Sequence, residues 1–529
     1  MNEITCVKLD QKHQKNLNKS FQSKLNINKF QTYFPILSLY FDFHNNGYSH
    51  KCFTLQSKYI VHKLVSKIET EQKLKDGYIK FIFNCQLKNT VDKLDNPISD
   101  SKIFIKLSPI LDVIPYIMNE YNTNHPNSLP NIFSYLTNKK INSYNNSAYI
   151  DSFFSFLGNK LCELGKCPTF PIYHGTFSGM AERFDFDITE EYNSIKNSDW
   201  FDTYHQKLFD IIKYENDYFS GSDDSDDDDD ANHDETNTLE LNNNNLEELL
   251  KDFEENKSVS SNNEDNLDSD SNSNSDINSI SSFGSISNDS GMDLKFLKFV
   301  RLKNFPVQIS CMELFDKTLD ELIDDKKYTI TDLEWKSILF QICFGLSVAQ
   351  KHFNFVHNDL HSSNIMFKET ELSYLYFFIQ NKYYKIPTFG KITKIIDFGR
   401  ATFNVNNHLF FSDVFKKHGD AEGQYNYPYH NNVTKNKVKT NPSFDLARLS
   451  TTIIEHFEED TEIFNLLKLW ATDKYGNCLI YHSDNFDLYK KIAKNVISAN
   501  PKAQLKKKLF QTFTVSKKDI PKGNYIYYY

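Results

Sequence analysis

The spacing of apolar and polar positions predicts strands over much of the chain before residue 314. Short apolar runs between Phe30 and about Phe83, among them FPILSLYFDF and YIKFIFNC, are typical of strands. KIFIKL (Lys102–Leu107) alternates apolar and polar residues, which is the pattern of a strand with one buried face. PTFPIYHGTF (Pro168–Phe177) and PVQISCMEL (Pro306–Leu314) predict two further strands.

Two segments show helical periodicity instead. Apolar residues recur at i, i+3, i+4 and i+7 after Asn146 and Ser147, either of which is a suitable N-cap. The second segment begins at Thr331 or Asp332 as cap and extends to His352. Strands, a helix, more strands and then a helix-rich C-terminal half predict a mixed α+β protein.

Residues 216–292 differ in composition from the rest of the chain. They include SDDSDDDDD (Ser222–Asp230) and SDSNSNSDINSISS (Ser269–Ser282), which offer too little apolar surface to offset the entropy of ordering. We expect a disordered acidic insertion here. It is either a solvated spacer in a surface loop or a segment that is phosphorylated, with Ser225 before three aspartates, or that binds a basic partner. Residues 1–29 are expected to form a polar, flexible or partly helical leader.

Composition excludes several classes of protein. With 39% hydrophobic and 15% aromatic residues, the 529-residue chain can build a sizeable core, which excludes wholesale disorder. A net charge of −10 lacks the basic excess of a general nucleic-acid binder. The eight cysteines form no CxxC pair, so a reducing compartment is the simpler interpretation. No apolar run or signal core predicts membrane insertion or secretion.

Two short motifs carry oxygen-bearing side chains at predicted strand ends. In HNDLHSSNIMF (His357–Phe367), Asp359 and Asn364 lie five residues apart between a helix and an apolar strand. In KIIDFGRA (Lys394–Ala401), Asp397 ends an apolar strand. Phosphoryl transfer needs one carboxylate to orient the attacking hydroxyl, and another carboxylate with an amide oxygen to hold Mg²⁺.

These motifs resemble those of the eukaryotic protein kinase-like superfamily. HNDLHSSN is similar to its HxDxxxxN catalytic loop, and IIDFG is similar to its DFG segment. The composition and the HNDLH form most resemble putative serine/threonine kinases of giant DNA viruses. The resemblance implies a two-lobed α+β fold. A small antiparallel β lobe with one helix would span 30–310 and contain the insertion, and a mostly helical large lobe would span 315–529.

The resemblance also assigns roles to individual residues. It implies that Asp359 acts as the base for the acceptor hydroxyl and that Asn364 and Asp397 hold Mg²⁺. Lys106 in FIKL resembles the strand lysine that contacts the α- and β-phosphates of ATP. Asp151 is the candidate partner of Lys106, and Glu120 is the alternative.

Two further segments resemble kinase elements around this site. CMEL resembles the last strand before the hinge, with Met312 as gatekeeper and Glu313, Leu314 and Phe315 as hinge residues beside ATP. PSFDLARLS resembles the helix whose aspartate, here Asp445, braces the catalytic loop.

The chain departs from the kinase pattern in several places. No GxGxxG precedes Lys106, so the phosphate lid is expected to be non-standard or absent. Asn358 replaces the arginine that pairs with a phosphorylated activation segment, and His361 replaces a lysine. About 20 extra residues, 371–390, separate the two motifs. Arg400 and Arg448 are two of only four arginines in the chain, and both lie near the motifs.

The sequence therefore favours ATP-dependent phosphorylation of Ser or Thr hydroxyls in protein substrates. A small-molecule kinase is one alternative, because HxDLHxxN also resembles aminoglycoside and choline kinases. A pseudokinase that acts as a scaffold is the other; the missing glycine loop favours it, whereas the intact Asp359, Asn364 and Asp397 oppose it. The expected location is the cytoplasm, that of the host cell if the chain is viral, with packaging in the virion as an alternative.

Overall fold

The computed structural model describes residues 4–43, 50–68, 79–91, 98–121, 128–133, 137–215, 296–425, 439–480 and 485–529. Contacts divide the chain into one unit of residues 1–215 and 281–529 and a second of residues 216–280. All of the described residues belong to the first unit. The predicted acidic insertion at 216–292, including Ser225, lies outside the described residues.

The strands and helices alternate irregularly along the chain. The strands are β1 (Cys6–Lys8), β2 (Ile27–Gln31), β3 (Phe53–Leu55), β4 (Tyr59–Ile68), β5 (Lys80–Asn89), β6 (Ile98–Pro109), β7 (Tyr173–Ala181), β8 (Phe184–Asp187), β9 (Asp210–Glu215), β10 (Phe296–Leu302), β11 (Phe305–Glu313), β12 (Lys317–Thr318), β13 (Ile365–Glu369), β14 (Tyr374–Ile379), β15 (Lys382–Pro387), β16 (Lys391–Ile395), β17 (Thr402–Val405), β18 (His408–Phe411), β19 (Thr514–Val515) and β20 (Ile526–Tyr528). The helices are α1 (Gln11–Leu25), α2 (Val113–Ile117), α3 (Ser147–Glu163), α4 (Tyr192–Ile195), α5 (Asp199–Tyr204), α6 (Leu319–Ile323), α7 (Asp332–Phe353), α8 (Phe444–Ile453), α9 (Glu462–Trp470), α10 (Asn485–Asn495), α11 (Pro501–Gln504) and α12 (Lys508–Gln511).

A six-stranded antiparallel sheet in the order β2-β7-β11-β6-β5-β4 forms the framework of the N-terminal part. The predicted KIFIKL strand is confirmed within β6, where Ile103 and Ile105 are buried and Lys106 is only partly buried. Helix α3 packs on this sheet, and a hydrogen bond of 2.8 Å joins the hydroxyl oxygens of Ser152 and Ser310. Helix α3 is capped as predicted, because the Asn146 side chain accepts a hydrogen bond from the Ala148 N–H.

Helix α1 and strand β2, in the segment predicted to be a polar, flexible or partly helical leader, belong to this framework. Helix α1 begins after Asp10, whose side chain accepts a hydrogen bond from the His13 N–H, and buries Leu17 and Phe21. Strand β2 then pairs with β7 at the edge of the sheet. Composition suggested a leader because only a narrow stripe of apolar residues, spaced by four, marks the buried face of this polar helix.

Two predicted strands need correction. Pro35–Leu39, within FPILSLYFDF, forms a 3₁₀ helix, because proline at the first helical position supplies a suitable φ and needs no N–H partner. Residues 168–172 precede β7 and are not part of it. The strand predicted in YIKFIFNC is confirmed from Lys80, and the one in PVQISCMEL is confirmed as β11.

Strands β9 and β10 flank the acidic segment. Glu215 at the end of β9 is the register partner of Phe296 at the start of β10. The two ends of the undescribed interval therefore lie side by side in a three-stranded sheet with β8. Two of the four arginines stabilise this sheet, since Arg183 and Arg301 both pair with the buried carboxylate of Asp185 at 2.6–2.8 Å.

Helix α7 organises the C-terminal part. Its Thr331 cap is confirmed, because the Thr331 hydroxyl accepts a hydrogen bond from the Glu334 N–H. The small sheet β12-β13-β16 carries the two motifs. The extra residues 371–390 form the hairpin β14–β15, with β19 beside β15, and β20 pairs in parallel with β14. Phe340 and Phe344 of α7 pack against Phe377 of this hairpin.

The chain thus has the expected α+β class, with antiparallel sheets and separate helices. Within the part of the chain that the structure covers, no helix is long and apolar enough to span a bilayer.

Candidate active site

The loop that carries Asp359 is held by a buried carboxylate, as predicted. The backbone N–H groups of His357 and Asn358 each donate a hydrogen bond of 3.0 Å to the two carboxylate oxygens of Asp445. Burial raises the pKa of Asp445 to about 7, against the lowering effect of these two hydrogen bonds. His357 Nε2 donates to the carbonyl of Ile396 at 2.8 Å, which ties this loop to the one that carries Asp397.

Lys106 lies between two carboxylates. Its Nζ is 3.1 Å from Asp151 Oδ2 and 3.0 Å from Asp397 Oδ1. The other oxygen of Asp151 accepts a hydrogen bond of 2.9 Å from the Phe398 N–H. The structure therefore brings together three side chains that lie as much as 291 residues apart in sequence, and it places Asp151 rather than Glu120 beside Lys106.

The charges in this cluster stabilise one another. Burial alone would lower the pKa of Lys106, but the two carboxylates outweigh it and raise that pKa. Burial would raise the pKa of Asp397, but the adjacent Lys106 ammonium lowers it well below its usual range. For Asp151, burial dominates and its pKa is raised in spite of Lys106. Lys106 and Asp397 are thus both charged near neutral pH.

A cavity of about 630 Å³ opens beside this cluster. Charged and polar side chains, among them Lys106, Asp151 and Asp397, line it together with apolar ones. The other residues that line it are Lys67, Ile68, Lys80, Phe81, Ile82, Phe104, Ser155, Pro171, Met312, Leu314, Phe315, Asp316, Thr318, Glu321, Ser363, Asn364, Met366, Ile396 and Phe398. An enclosed space of this size with a few convergent polar groups is typical of a small-molecule site.

Not all of the predicted hinge residues line the cavity. Met312 and Phe315 line the cavity, but Glu313 does not. The Glu313 carboxylate instead forms an ion pair of 2.8 Å with Lys394 Nζ. Side chains alternate along a strand, so Glu313 at the end of β11 faces away from the cavity side of Met312. The Glu313 side chain therefore does not line the cavity, and the role of Glu313 as a hinge residue beside ATP stays a prediction.

Asn364 and Asp397 present oxygens to the same cavity. Asn364 Nδ2 donates to the Asp359 carbonyl at 2.9 Å, which leaves its amide oxygen as the available ligand atom. No group of three His, Cys, Asp or Glu side chains suited to a metal occurs in the described ranges. One carboxylate and one amide oxygen are nevertheless enough for Mg²⁺, which usually keeps waters and shares substrate phosphates.

Two lysines that line the cavity, Lys67 and Lys80, belong to none of the sequence motifs. Lys80 on β5 is the register partner of Lys106, and Lys67 lies on the neighbouring β4. The charge of Lys80 also contributes to the low pKa of Asp397. In sequence, the two lysines flank residues 69–78, which lie outside the described ranges. Only the strand pairing, which spacing does not reveal, brings them to the site.

Asp359 has two neighbours that sequence reasoning did not assign to it. The Tyr489 hydroxyl donates to Asp359 Oδ1 at 2.5 Å, and Arg400 Nη1 lies 3.6 Å from the same oxygen. Burial would raise the pKa of Asp359, but Arg400 and the Tyr489 hydrogen bond outweigh it and lower that pKa. The carboxylate is therefore ionised near neutral pH.

Asn358, which stands where kinases have an arginine, is a buried hydrogen-bond centre. It adopts a left-handed conformation with φ of 65°, which Asn tolerates better than most residues. Its Nδ2 donates to the Arg400 carbonyl at 3.0 Å, and its Oδ1 accepts from the Tyr425 hydroxyl. Neutral hydrogen bonds thus link this loop to the segment that follows Asp397.

The same segment is fixed at a second point. Asp413 accepts a hydrogen bond of 3.1 Å from the Ser147 N–H at the start of α3, and it lies 2.8 Å from Lys140 Nζ. Phe411, Phe415 and Tyr425 form a separate apolar cluster in this segment.

Comparisons with known proteins point to protein kinases over part of the chain. No protein-family model matches it. It is 34% identical over 94 residues to the serine/threonine-protein kinase haspin of Bos taurus, a match that covers 18% of this chain and 12% of that protein. It is 37% identical over 81 residues to the serine/threonine-protein kinase haspin homolog of Arabidopsis thaliana, which covers 15% of this chain and 14% of that protein.

These relatives are serine/threonine kinases, and the matches span only a small part of their length. They come from an animal and a plant, so they give no support to the finer resemblance to kinases of giant DNA viruses.

Proposed function

We propose that this chain is a protein kinase that transfers the γ-phosphoryl group of ATP to Ser or Thr hydroxyls of protein substrates, with Mg²⁺ as cofactor. The observation that carries the proposal is the placement of Lys106 between Asp151 and Asp397 at about 3 Å from each, in a cavity that Asn364 also lines. In a kinase, this lysine–acid pair and the metal-binding aspartate must both be in place for catalysis.

Each side chain of the site has a separate role. Lys106 contacts the phosphates, and Asp151 holds its ammonium in position. Asn364 and Asp397 hold the metal. Asp359 orients the acceptor hydroxyl and receives its proton. Mg²⁺ and ATP, when bound, supply the electrophilic phosphorus and neutralise the charge that develops on its oxygens.

The fold supports the same proposal. We infer that the six-stranded sheet with α3 forms the small lobe of a kinase and that the part organised by α7 and α8 forms the large lobe. Lys106 and Asp151 come from the first part, whereas Asp359, Asn364 and Asp397 come from the second. The cavity lies where residues of both meet, which is where kinases bind ATP.

The small-molecule kinase and the scaffold remain as alternatives. The relatives named above are protein kinases, which favours the protein branch. A scaffold without catalysis does not require a partly buried lysine that is paired with two carboxylates.

One experiment separates the three functions. The purified chain is incubated with labelled ATP, Mg²⁺, a panel of basic and acidic proteins, and a panel of small alcohols. We expect label on Ser or Thr of proteins, and none with the Lys106→Met variant. Label on a small alcohol alone would favour the small-molecule kinase, and nucleotide binding without any transfer would favour the scaffold.

A further inference from the structure

The two oxygens of the Asp359 carboxylate differ in their surroundings. Oδ1 accepts the hydrogen bond of 2.5 Å from the Tyr489 hydroxyl and lies 3.6 Å from Arg400 Nη1. A hydrogen bond to an ionised carboxylate is short and strong. The contacts described for Asp359 therefore concentrate on one oxygen of the proposed base.

The Tyr489 ring is itself held firmly. It is almost completely buried in α10 and packs against Phe444, at 5.8 Å between ring centroids. The guanidinium groups of Arg400 and Arg448 lie 5.8 and 5.0 Å from its ring centre. Two of the four arginines of the chain thus lie beside this tyrosine, and cation–π contacts of this kind fix a ring in place.

We propose that Tyr489 is a positioning residue for phosphoryl transfer, whose hydroxyl fixes Asp359 Oδ1 so that Oδ2 receives the proton of the acceptor. The inference rests on the proposed function. Asp359 Oδ2 accepts the proton as the acceptor oxygen bonds to the γ-phosphorus. The bond from that phosphorus to the bridging oxygen breaks at the same time, and ADP leaves with the electron pair.

The proposal depends on the rotational freedom of the Asp359 carboxylate. The terminal torsion of Asp is broad, so an unsupported carboxylate samples many orientations. A misplacement of about 1 Å in a reacting group costs about 100-fold in rate. A hydroxyl on a clamped ring removes this freedom without using the oxygen that takes the proton.

A blocking role for the Tyr489 hydroxyl predicts the opposite change in turnover. If the Tyr489 hydroxyl occupied the place of the acceptor hydroxyl, its removal would open the site and raise turnover. A positioning role requires that turnover fall.

The test is the Tyr489→Phe variant of the full chain, which keeps the ring and removes only the hydroxyl. We expect kcat to fall about 10- to 100-fold. The KM for ATP and the Mg²⁺-ATP shift in Tm should not change, because Lys106 and Asp397 have no described contact with Tyr489. The matched control is Tyr384→Phe, another buried tyrosine whose hydroxyl accepts a hydrogen bond from Gln511 far from the motifs; its kcat should equal that of the wild type.

A double mutant shows whether Tyr489 acts through Asp359. In an Asp359→Asn background, adding Tyr489→Phe should lower kcat no further, because coupled residues are not additive. A further fall of the same size as in the wild type would overturn the positioning role. So would an unchanged or raised kcat in Tyr489→Phe alone, or a loss of turnover together with the nucleotide shift. A wild type that binds ATP and transfers nothing would instead contradict the proposed function itself, and the positioning role with it.

Discussion

Lys140 Nζ lies 2.8 Å from Asp413 Oδ2 and joins the segment after Asp397 to the residues just before α3. Asp413 is almost completely buried and also accepts a hydrogen bond from the first N–H of α3. Helix α3 carries Asp151, so this ion pair connects the position of one carboxylate beside Lys106 to the loop that bears the other. Asp112 also lies 2.8 Å from Lys140, which gives the lysine two acidic partners.

Lys140→Met should destabilise the protein and lower its turnover. Removing one partner of a buried pair leaves an uncompensated charge, which costs about 3–5 kcal/mol in free energy of unfolding. Urea unfolding and kcat measure the two effects. Lys160→Met removes a partly exposed pair with Glu163 within α3 and should cost no more than about 1 kcal/mol. Equal losses in free energy of unfolding in the two variants would show that the Lys140 pair stabilises the protein no more than the Lys160 pair does.

Asp359→Asn should lower kcat about 10²- to 10⁴-fold, because the neutral amide cannot accept the proton of the acceptor. Nucleotide binding should change little, since Asp359 is not among the residues that line the cavity. Steady-state kinetics and a thermal shift with Mg²⁺-ATP check both points. Wild-type turnover in this variant would exclude Asp359 as the base.

Asp397→Ala should abolish the Mg²⁺-dependent part of nucleotide binding. The Asp397 carboxylate lies 3.0 Å from Lys106 and lines the same cavity as Asn364, and the metal needs its charge. The measurement is the shift in Tm with ATP, with and without Mg²⁺. Asp316→Ala, which removes another carboxylate that lines the cavity, should keep the Mg²⁺-dependent shift.

Asp445 should make stability depend on pH. Its pKa is raised in the folded state to about 7 from 3.8, so the folded chain keeps a proton that the unfolded chain loses. Its contribution to stability is therefore fully present below about pH 4 and is lost as the pH rises toward 7. The free energy of unfolding of the wild type minus that of Asp445→Asn should fall over this range in urea titrations. A difference that rises from pH 4 to 7 would contradict the assignment.

Activity should not require phosphorylation of the segment between Gly399 and Asp445. Asn358 and Tyr425 link this segment to the loop by hydrogen bonds without a phosphate. Phosphatase-treated protein should therefore turn over as fast as untreated protein. A large loss that maps to Thr402, Ser412, Thr434 or Thr440 would contradict this; Thr402 and Ser412 are buried.

The sequence alone predicts the site residues that lie in short motifs. HNDLHSSN and IIDFG place their polar residues within a few positions of each other, and a loop between a helix and a strand constrains such residues locally. Lys106 and Asp151 needed the resemblance, because an alternating strand and the N-terminal part of a helix each have ordinary explanations for a charged residue. The resemblance also named Glu313 as a hinge residue, and strand alternation directs its side chain away from the cavity, toward Lys394.

Residues that meet only through tertiary packing show no sequence pattern that predicts their contact. Tyr489 lies 130 positions after Asp359 in a helix without a motif, and Asp413 meets Lys140 across 273 positions. Both contacts depend on how separate elements pack, which periodicity does not encode. Helix α1 was predicted only as part of a flexible or partly helical leader for a related reason, since three apolar residues in a polar stretch mark its buried face only weakly.

The pairing of β20 with β14 has a consequence for how the chain reaches its native state. Tyr376 and Ile526 are register partners although 150 positions separate them. Contacts of such long range form slowly. Until they form, β14 is paired only with β15, and its other backbone edge, with the aromatic residues Tyr376, Phe377 and Phe378, is open. An unpaired aromatic edge is a template for association with other chains, so aggregation during refolding should begin at this hairpin.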